Sequence, residues 1–258
     1  MRILLIRHGD PDYVHDTLTS PGKVEADLLA GRLVKETISA FYVSPLGRAK
    51  RTARPTLEAL GRTAVEKPWL EEFDAKLQVD GSEFLQASFP DTRKRPDGSF
   101  RPRICWDMVP AAWRNDPAYY GKESWRETVV AEHSRMAQEY DRICSGLDEL
   151  LAEYGYIRDG GLYRTQEGRM DTIVLFCHFG VSCVMLSHLL GISPHILLHS
   201  LCLAPTSVTE IYSEERQKGI VTFRVTKIGD ISHLYAGDTK PSFAARFCEV
   251  YENGWERH

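Results

Sequence analysis

Short apolar runs that each end in a histidine and a glycine are the feature that most constrains the fold of this chain. Residues 3–6 lead into Arg7-His8-Gly9, and residues 172–177 lead into His178-Phe179-Gly180. Continuous apolar runs of this length, bounded by turn residues, are typical of strands buried on both faces, as in parallel sheets. Because ligands bind at the carboxyl ends of parallel strands, we expect both histidines at one functional edge of a sheet.

Strand and helix patterns alternate along the rest of the chain. Leu18-Thr19-Ser20-Pro21 predicts a helix start with a hydroxyl cap. Residues 40–43 predict a strand, and Arg48 begins a second helix that Pro55 is expected to end or kink. The alternation predicts an α/β fold: a three-layer sandwich with a mainly parallel central sheet, helices on both faces, and an inserted cap.

The second half of the chain continues this alternation. The apolar spacing over residues 125–154 predicts one long amphipathic helix, and residues 156–164 predict a hairpin with a glycine-rich turn. A helix over residues 181–190 is expected to follow the strand at 173–177. Residues 207–212 and 220–228 then predict a second hairpin.

Residues 74–122 have a different character, because neither helix nor strand periodicity persists there. They are rich in proline and aromatic residues, and they carry the basic clusters 93–95 and 101–103. A segment this long is usually functional or disordered, and its aromatic content argues against disorder. We therefore expect residues 1–258 to form one domain with 74–122 as a cap-like insertion over the active site. Specificity is expected to depend on this insertion, through Arg95, Arg101 and Arg103.

Composition excludes several classes of protein. The chain has 258 residues, 43% of them hydrophobic, which is enough for a substantial core, and its net charge of −4 argues against a general nucleic-acid binder. Residues 173–192 lack charges over nearly a membrane span, but the polar residues within them favour a buried strand followed by a helix. The cysteines form no CxxC pair and are expected to be reduced, which with no signal sequence predicts a cytoplasmic protein. These cysteines are Cys105, Cys144, Cys177, Cys183, Cys202 and Cys248.

Four motifs in this order carry a family resemblance. They are Arg7-His8-Gly9, Ser44-Pro45-Leu46-Gly47-Arg48-Ala49, Leu70-Glu71-Glu72 and His178-Phe179-Gly180. From Arg7 to about Leu234 the chain resembles the histidine phosphatase superfamily, also called the phosphoglycerate mutase-like family. The resemblance implies hydrolysis of a phosphomonoester through a phosphohistidine.

The resemblance also assigns roles to individual residues. His8 would be the nucleophile, and Arg7, Arg48 and a protonated His178 would bind the phosphoryl group and stabilise the transition state. No metal or other cofactor is expected, because three protein cations already surround the phosphate. Glu72 would protonate the leaving group, and Asp74 and Glu83 are kept as alternatives.

The chain departs from the family pattern at three places. Asp10 replaces the usual glutamate or glutamine, and the short loop after it lacks the asparagine that often holds the phosphate, so that His15 or a backbone amide would substitute. Phe179 stands where a glycine is common, which narrows the backbone angles at a phosphate-binding amide. A cation site made of Asp10, Asp12, His15 and Asp16 is an alternative use of this loop. Acidic residues in turns, however, more often cap or face solvent.

Other functions are weighed against the phosphatase. Residues 73–77 lack the segment, rich in Arg, Tyr and Gly, that follows the catalytic glutamate of phosphoglycerate mutases, which disfavours mutase chemistry. A phosphoprotein phosphatase and a non-catalytic phosphate-binding protein are further alternatives, the latter disfavoured because the chemical residues are all present. We expect a phosphorylated small molecule as the partner, with a homodimer as an open alternative, and neither nucleic acid nor a membrane.

Overall fold

The computed structural model describes residues 1–89 and 92–242. The strands are β1 (Arg2–Arg7), β2 (Pro11–Asp12), β3 (Thr17–Leu18), β4 (Ala40–Val43), β5 (Val65–Glu66), β6 (Lys76–Leu77), β7 (Arg103–Ile104), β8 (Ile157–Asp159), β9 (Leu162–Arg164), β10 (Thr172–Cys177), β11 (Val208–Gln217) and β12 (Ile220–Asp230). The α-helices are α1 (Ser20–Leu33), α2 (Gly47–Leu60), α3 (Glu83–Ala87), α4 (Pro110–Trp113), α5 (Val129–Glu132), α6 (Met136–Glu153), α7 (Phe179–Leu190), α8 (Pro194–Ser200) and α9 (Ser232–Ala236). Short 3-10 helices lie at Pro68–Leu70, Pro117–Tyr119 and Ser124–Glu127.

The chain divides into two compact units. The first contains Met1–Glu71, Glu167–Phe179 and the described residues from Cys202 onward. The second contains Glu72–Gln166 and Gly180–Leu201. The predicted insertion, residues 74–122, falls inside the second unit. This unit is larger than the insertion, because it also holds α6 and all of α7 except its first residue.

The sheet of the first unit is mixed, with parallel strands at its centre. Its strand order is β5-β4-β10-β1-β11-β12. Strands β5, β4, β10 and β1 run parallel, whereas β11 is antiparallel to β1 and β12 is antiparallel to β11. The predicted α/β fold with a mainly parallel central sheet flanked by helices is therefore confirmed.

Burial of the central strands explains their nearly continuous apolar sequence. Leu4 and Ile6 of β1 pack in a core cluster with Leu29 of α1 and Ala53 of α2. The alternate residue Ile3 points to the opposite face and is equally buried. Both faces of β1 thus exclude water, as the sequence predicts.

The first two helices confirm the predicted starts and correct one predicted end. Thr19 caps α1, since its hydroxyl accepts a hydrogen bond from the Gly22 backbone N–H. Helix α2 begins at Gly47 but runs through Pro55 to Leu60, so the predicted break at this proline is wrong. Pro55 removes a single backbone hydrogen bond, and the buried Ala53 and Thr56 on either side of it hold the helix on the core.

The single long helix predicted over residues 125–154 is also wrong. The segment forms a 3-10 turn, α5 and α6 in succession. Thr128 adopts an extended backbone and caps α5, and the Ser134 hydroxyl donates to the Val130 carbonyl before α6 begins. Such side-chain bonds to the backbone compete with helix continuation, and apolar spacing alone does not reveal them.

Both predicted hairpins are present. In the second unit β8 and β9 pair from Ile157↔Arg164 to Asp159↔Leu162. In the first unit β11 and β12 pair over a longer span than predicted, from Val208↔Asp230 to Gln217↔Ile220. Residues 74–122, where no periodicity is visible, fold into the short elements β6, α3, β7 and α4.

The cysteines and the apolar stretch at 173–192 behave as the sequence suggests. Cys105, Cys144, Cys177 and Cys183 are buried free thiols, and Cys202 is an exposed one. Cys248 lies outside the described residues. The apolar stretch forms β10 and α7, and within the described ranges no helix is long and apolar enough to cross a membrane.

Candidate active site

The sheet register brings the ends of three strands together in the first unit. Arg7 at the end of β1 lies beside Cys177 at the end of β10, and the His8 N–H donates to the Cys177 carbonyl at 3.0 Å. The Ser44 N–H, just after β4, donates to the Phe176 carbonyl at 2.9 Å. The histidines after β1 and β10 are consequently neighbours. The ring centroids of His8 and His178 are 5.1 Å apart.

The His8 ring is held in one tautomer. Its Nδ1 lies 2.7 Å from the Gly9 carbonyl oxygen. Because a carbonyl oxygen only accepts hydrogen bonds, Nδ1 carries the proton and Nε2 keeps a free lone pair. Burial, reinforced by the nearby Arg7 and Arg48 charges, lowers the pKa of His8 to about 3. The ring is therefore neutral near pH 7, as a nucleophile must be.

His178 is oriented by a buried serine. Its Nε2 lies 2.7 Å from the Ser44 hydroxyl oxygen, and both side chains are fully buried. Burial lowers the pKa of His178 well below its usual range, and His8, Arg48 and Arg7 add to the effect. The expectation of a protonated His178 is thus wrong for the ligand-free site. An anion at the two arginines would raise the pKa of this histidine again.

Arg7 and Arg48 each present a buried donor that is not used within the described part of the chain. An Nη1 hydrogen of Arg7 is donated to the Leu203 carbonyl, and Nη1 of Arg48 is donated to Asp16 at 2.8 Å. The Nε atoms of both arginines are buried and have no hydrogen-bond partner among the described residues. Buried donors are nearly always paired in folded proteins, so two orphaned guanidinium N–H groups indicate a site for an anion.

Asp16 fixes Arg48 at the start of α2. Its carboxylate accepts hydrogen bonds from the Gly47 N–H at 2.5 Å and from the Arg48 side chain, and its φ of +47° is uncommon for a residue other than glycine. A Cβ on Gly47 would lie 2.2 Å from the Asp16 carbonyl oxygen, so only glycine permits this approach. The sequence offered Asp16 only as part of the alternative cation site.

The remaining loop residues are engaged locally. Asp10 accepts a hydrogen bond from Thr19, and Asp12 pairs with His15. The His15 side chain is 73% exposed, so the structure places it at the surface rather than in a buried phosphate site. Across residues 1–89 and 92–242, no three histidine, cysteine or acidic side chains are grouped so that they could hold a metal ion.

Phe179 begins α7 directly after His178. Its backbone N–H therefore lies at a helix N terminus, where such groups lack partners within the helix and are oriented toward anions.

Glu72 belongs to the second unit, where two backbone groups hold its carboxylate. Its Oε1 accepts hydrogen bonds from the Phe73 N–H at 2.8 Å and from the Val181 N–H at 3.1 Å. A Cβ on Gly180 would lie 2.9 Å from the same oxygen, so this glycine lets α7 approach Glu72 closely. The alternative acids differ: Asp74 is exposed and pairs with Lys76, and Glu83 is exposed in the first turn of α3.

Sequence reasoning missed Ser44 as the partner of His178. The signal that could have revealed it is position, since Ser44 follows β4 directly, as His8 follows β1 and His178 follows β10.

Comparison with known proteins agrees with this arrangement. Residues 3–102 match the model of the histidine phosphatase superfamily (branch 1). The chain belongs to the histidine phosphatase superfamily. The match includes the motifs at Arg7-His8-Gly9, Arg48 and Glu72.

Relatives extend the match along the chain. The chain is 26% identical over 157 residues to a 2-carboxy-D-arabinitol-1-phosphatase of Triticum aestivum, a match that covers 53% of this chain and 31% of the wheat protein. A probable phosphatase of Schizosaccharomyces pombe is 23% identical over 253 residues, covering 93% of this chain and 98% of the yeast protein. Among solved structures, a mutant phosphoserine phosphatase of Entamoeba histolytica in complex with phosphoserine is 17% identical. It covers 90% of this chain and 98% of its own, with a TM-score of 0.55, and so shares the fold.

Proposed function

We propose that this histidine phosphatase superfamily member is a phosphomonoesterase that hydrolyses a phosphorylated small molecule through a phosphohistidine on His8. Phosphatases are also the relatives described above. One observation carries the proposal: a buried, neutral histidine with its lone pair on Nε2 lies in the field of two arginines whose buried Nε–H groups have no acceptor among the described residues. A nucleophile and an anion site are thus supplied by neighbouring residues.

The first half-reaction is phosphoryl transfer to His8. The Nε2 lone pair forms a bond to phosphorus as the bond from phosphorus to the ester oxygen breaks, and the leaving oxygen takes a proton, which we assign to Glu72. The phosphorylated ring gains a positive charge, and the Nδ1–H donated to the Gly9 carbonyl stabilises it. Arg7 and Arg48 neutralise the phosphoryl oxygens as charge develops on them.

The second half-reaction restores the enzyme. Water attacks phosphorus, the bond from phosphorus to Nε2 breaks, and the Glu72 carboxylate takes the proton that water loses. Inorganic phosphate leaves, and His8 recovers its lone pair on Nε2. The positive charges are all supplied by the chain, so we propose that neither a metal nor a cofactor takes part.

A comparison of two arginines on one helix tests the role of the anion site. Arg48→Gln should lower kcat on every phosphomonoester tried, by about 2–4 kcal/mol of barrier, because its contact tightens in the transition state. Arg54→Gln is the matched control, since Arg54 lies on the same helix but is exposed and paired with Glu58. Equal losses in the two variants would contradict the proposal, and so would full activity in His8→Gln.

A further inference from the structure

The second unit carries a small hairpin whose charge the proposed chemistry does not use. The Arg95 N–H donates to the Ser99 carbonyl at 2.7 Å, and the Arg101 N–H donates to the Arg93 carbonyl at 3.1 Å. Between these bonds Lys94 pairs with Phe100 across the hairpin, and Gly98 closes the turn with a φ of +86°. We call residues 93–101 the basic hairpin.

The register sorts its charges onto two faces. Residues directly opposite each other in an antiparallel pair share a face, so Arg93 and Arg101 lie on one face together with Arg95. Lys94 lies on the other face, with its ammonium 5.3 Å from the centroid of the Phe100 ring. One face of the basic hairpin therefore carries three arginines.

This arginine face is not neutralised within the described residues. Arg93, Arg95 and Arg101 are exposed, and none makes an ion pair or a side-chain hydrogen bond with another described residue. Like charges placed directly opposite on a hairpin are destabilising, so the pairing of Arg93 with Arg101 costs stability without any visible return in the ligand-free protein. Arg103, the third arginine expected to affect specificity, is different, because its guanidinium stacks on Phe89 at 5.5 Å.

The arginine face opens onto a surface depression of about 750 Å³. Its lining includes three cations, Lys76, Arg95 and Arg101, and a single carboxylate, that of Asp97. Asp97 already accepts two hydrogen bonds, from the Ser99 N–H and hydroxyl. The depression is therefore cationic overall and suits an anionic group.

Chain geometry limits how far this depression lies from the assigned acid. Lys76 follows Glu72 by four residues in the same unit. Four residues of fully extended chain span at most about 14 Å, so the two Cα atoms are no further apart than that. A small molecule with two charged ends is of comparable length.

We propose that the arginine face of the basic hairpin binds a second anionic group of the substrate, so that the substrate is a phosphomonoester that also carries a carboxylate or another phosphate. This inference rests on the proposed phosphatase activity. Arg95 and Arg101 are the specificity-determining residues, and they act on substrate binding rather than on the reacting phosphorus.

Two matched substrate pairs test the inference and separate the two anions. 3-Phosphoglycerate and glycerol 3-phosphate differ by a carboxylate, and propane-1,3-diol bisphosphate and its monophosphate differ by a phosphate. The ratio of kcat/KM within each pair is measured for the wild type and for Arg95→Gln and Arg101→Gln. Lys94→Gln is the control, because it removes the same charge from the opposite face of the same hairpin.

We expect the wild type to favour the doubly anionic member of at least one pair. Each arginine variant should lower that ratio about fivefold, the upper end of the effect of an exposed ion pair, mainly through KM. The control should keep the wild-type ratio, and added salt should lower it. Hydrolysis with no preference in either pair, or equal ratios in the arginine and lysine variants, overturns this inference and leaves the proposed function standing. Absence of hydrolysis of every ester overturns both.

Discussion

His195 leads to a quantitative prediction about acid stability. It lies on α8 in the second unit, it is 0% exposed, and neither of its ring nitrogens has a hydrogen-bond partner among the described residues. Aromatic rings surround it: Tyr119 stands edge-on with its centroid at 4.9 Å, and the His199 ring is stacked at 5.7 Å. Burial in this setting, with a smaller contribution from His199, lowers the pKa of His195 to about 3.

The lowered pKa makes the folded state sensitive to acid. The unfolded chain binds a proton at this residue near pH 6.5, whereas the folded chain binds it only near pH 3, so between these values the unfolded state holds more protons. Stability is therefore full above pH 6.5 and declines as the pH falls toward 3. At pH 5, about 1.5 units below the ordinary value, His195 alone should cost about 2 kcal/mol relative to neutral pH.

Urea unfolding of the wild type and of His195→Leu at pH 7.5 and pH 5 measures this cost. Leucine cannot be protonated, so the variant should lose about 2 kcal/mol less than the wild type between the two pH values, whatever its absolute stability. Leu197→Ala is the control on the same helix, since it removes buried apolar contacts without changing a titrating group. If the wild type and His195→Leu lose equal stability on acidification, the reasoning from burial is refuted.

Three further predictions concern the candidate active site. Asp16→Asn keeps an acceptor for the Gly47 N–H but removes the negative partner of Arg48, and kcat should fall about tenfold, as steady-state kinetics would register. Ser44→Ala removes a hydrogen bond to His178, and the pH profile of kcat should shift as well as its magnitude, whereas an unchanged profile would reduce Ser44 to packing. Activity should survive exhaustive chelation, and loss with rescue by a single divalent ion would contradict a metal-free mechanism.

The placement of the two histidines is the part of the site that the sequence predicts well. An apolar run buried on both faces predicts a parallel strand, and parallel strands align their carboxyl ends, which makes neighbours of His8 and His178 although they are far apart in the chain. The pattern is local, but the sheet turns it into a long-range contact. The fold class follows from the same alternation.

The charge state and the second layer of the site could not be predicted in this way. The pKa of His178 depends on burial and on two arginines that the sheet brings close, and neither is encoded in the residues beside it. Asp16 and Ser44 act through single hydrogen bonds whose partners are remote in sequence. The helix break before α6 is similar, since Thr128 and Ser134 interrupt an apolar spacing that fits a continuous helix.

Covalent trapping on His8 tests the central claim most directly. The enzyme would be quenched in base during turnover of a phosphate-labelled ester, digested, and mapped by mass spectrometry, with His8→Gln treated in parallel. We predict acid-labile, base-stable phosphate on His8 in the wild type, formed and lost at rates compatible with turnover, and no label in the variant. Label on any other residue, or rapid hydrolysis with no phosphoenzyme and an active His8→Gln, would contradict the account.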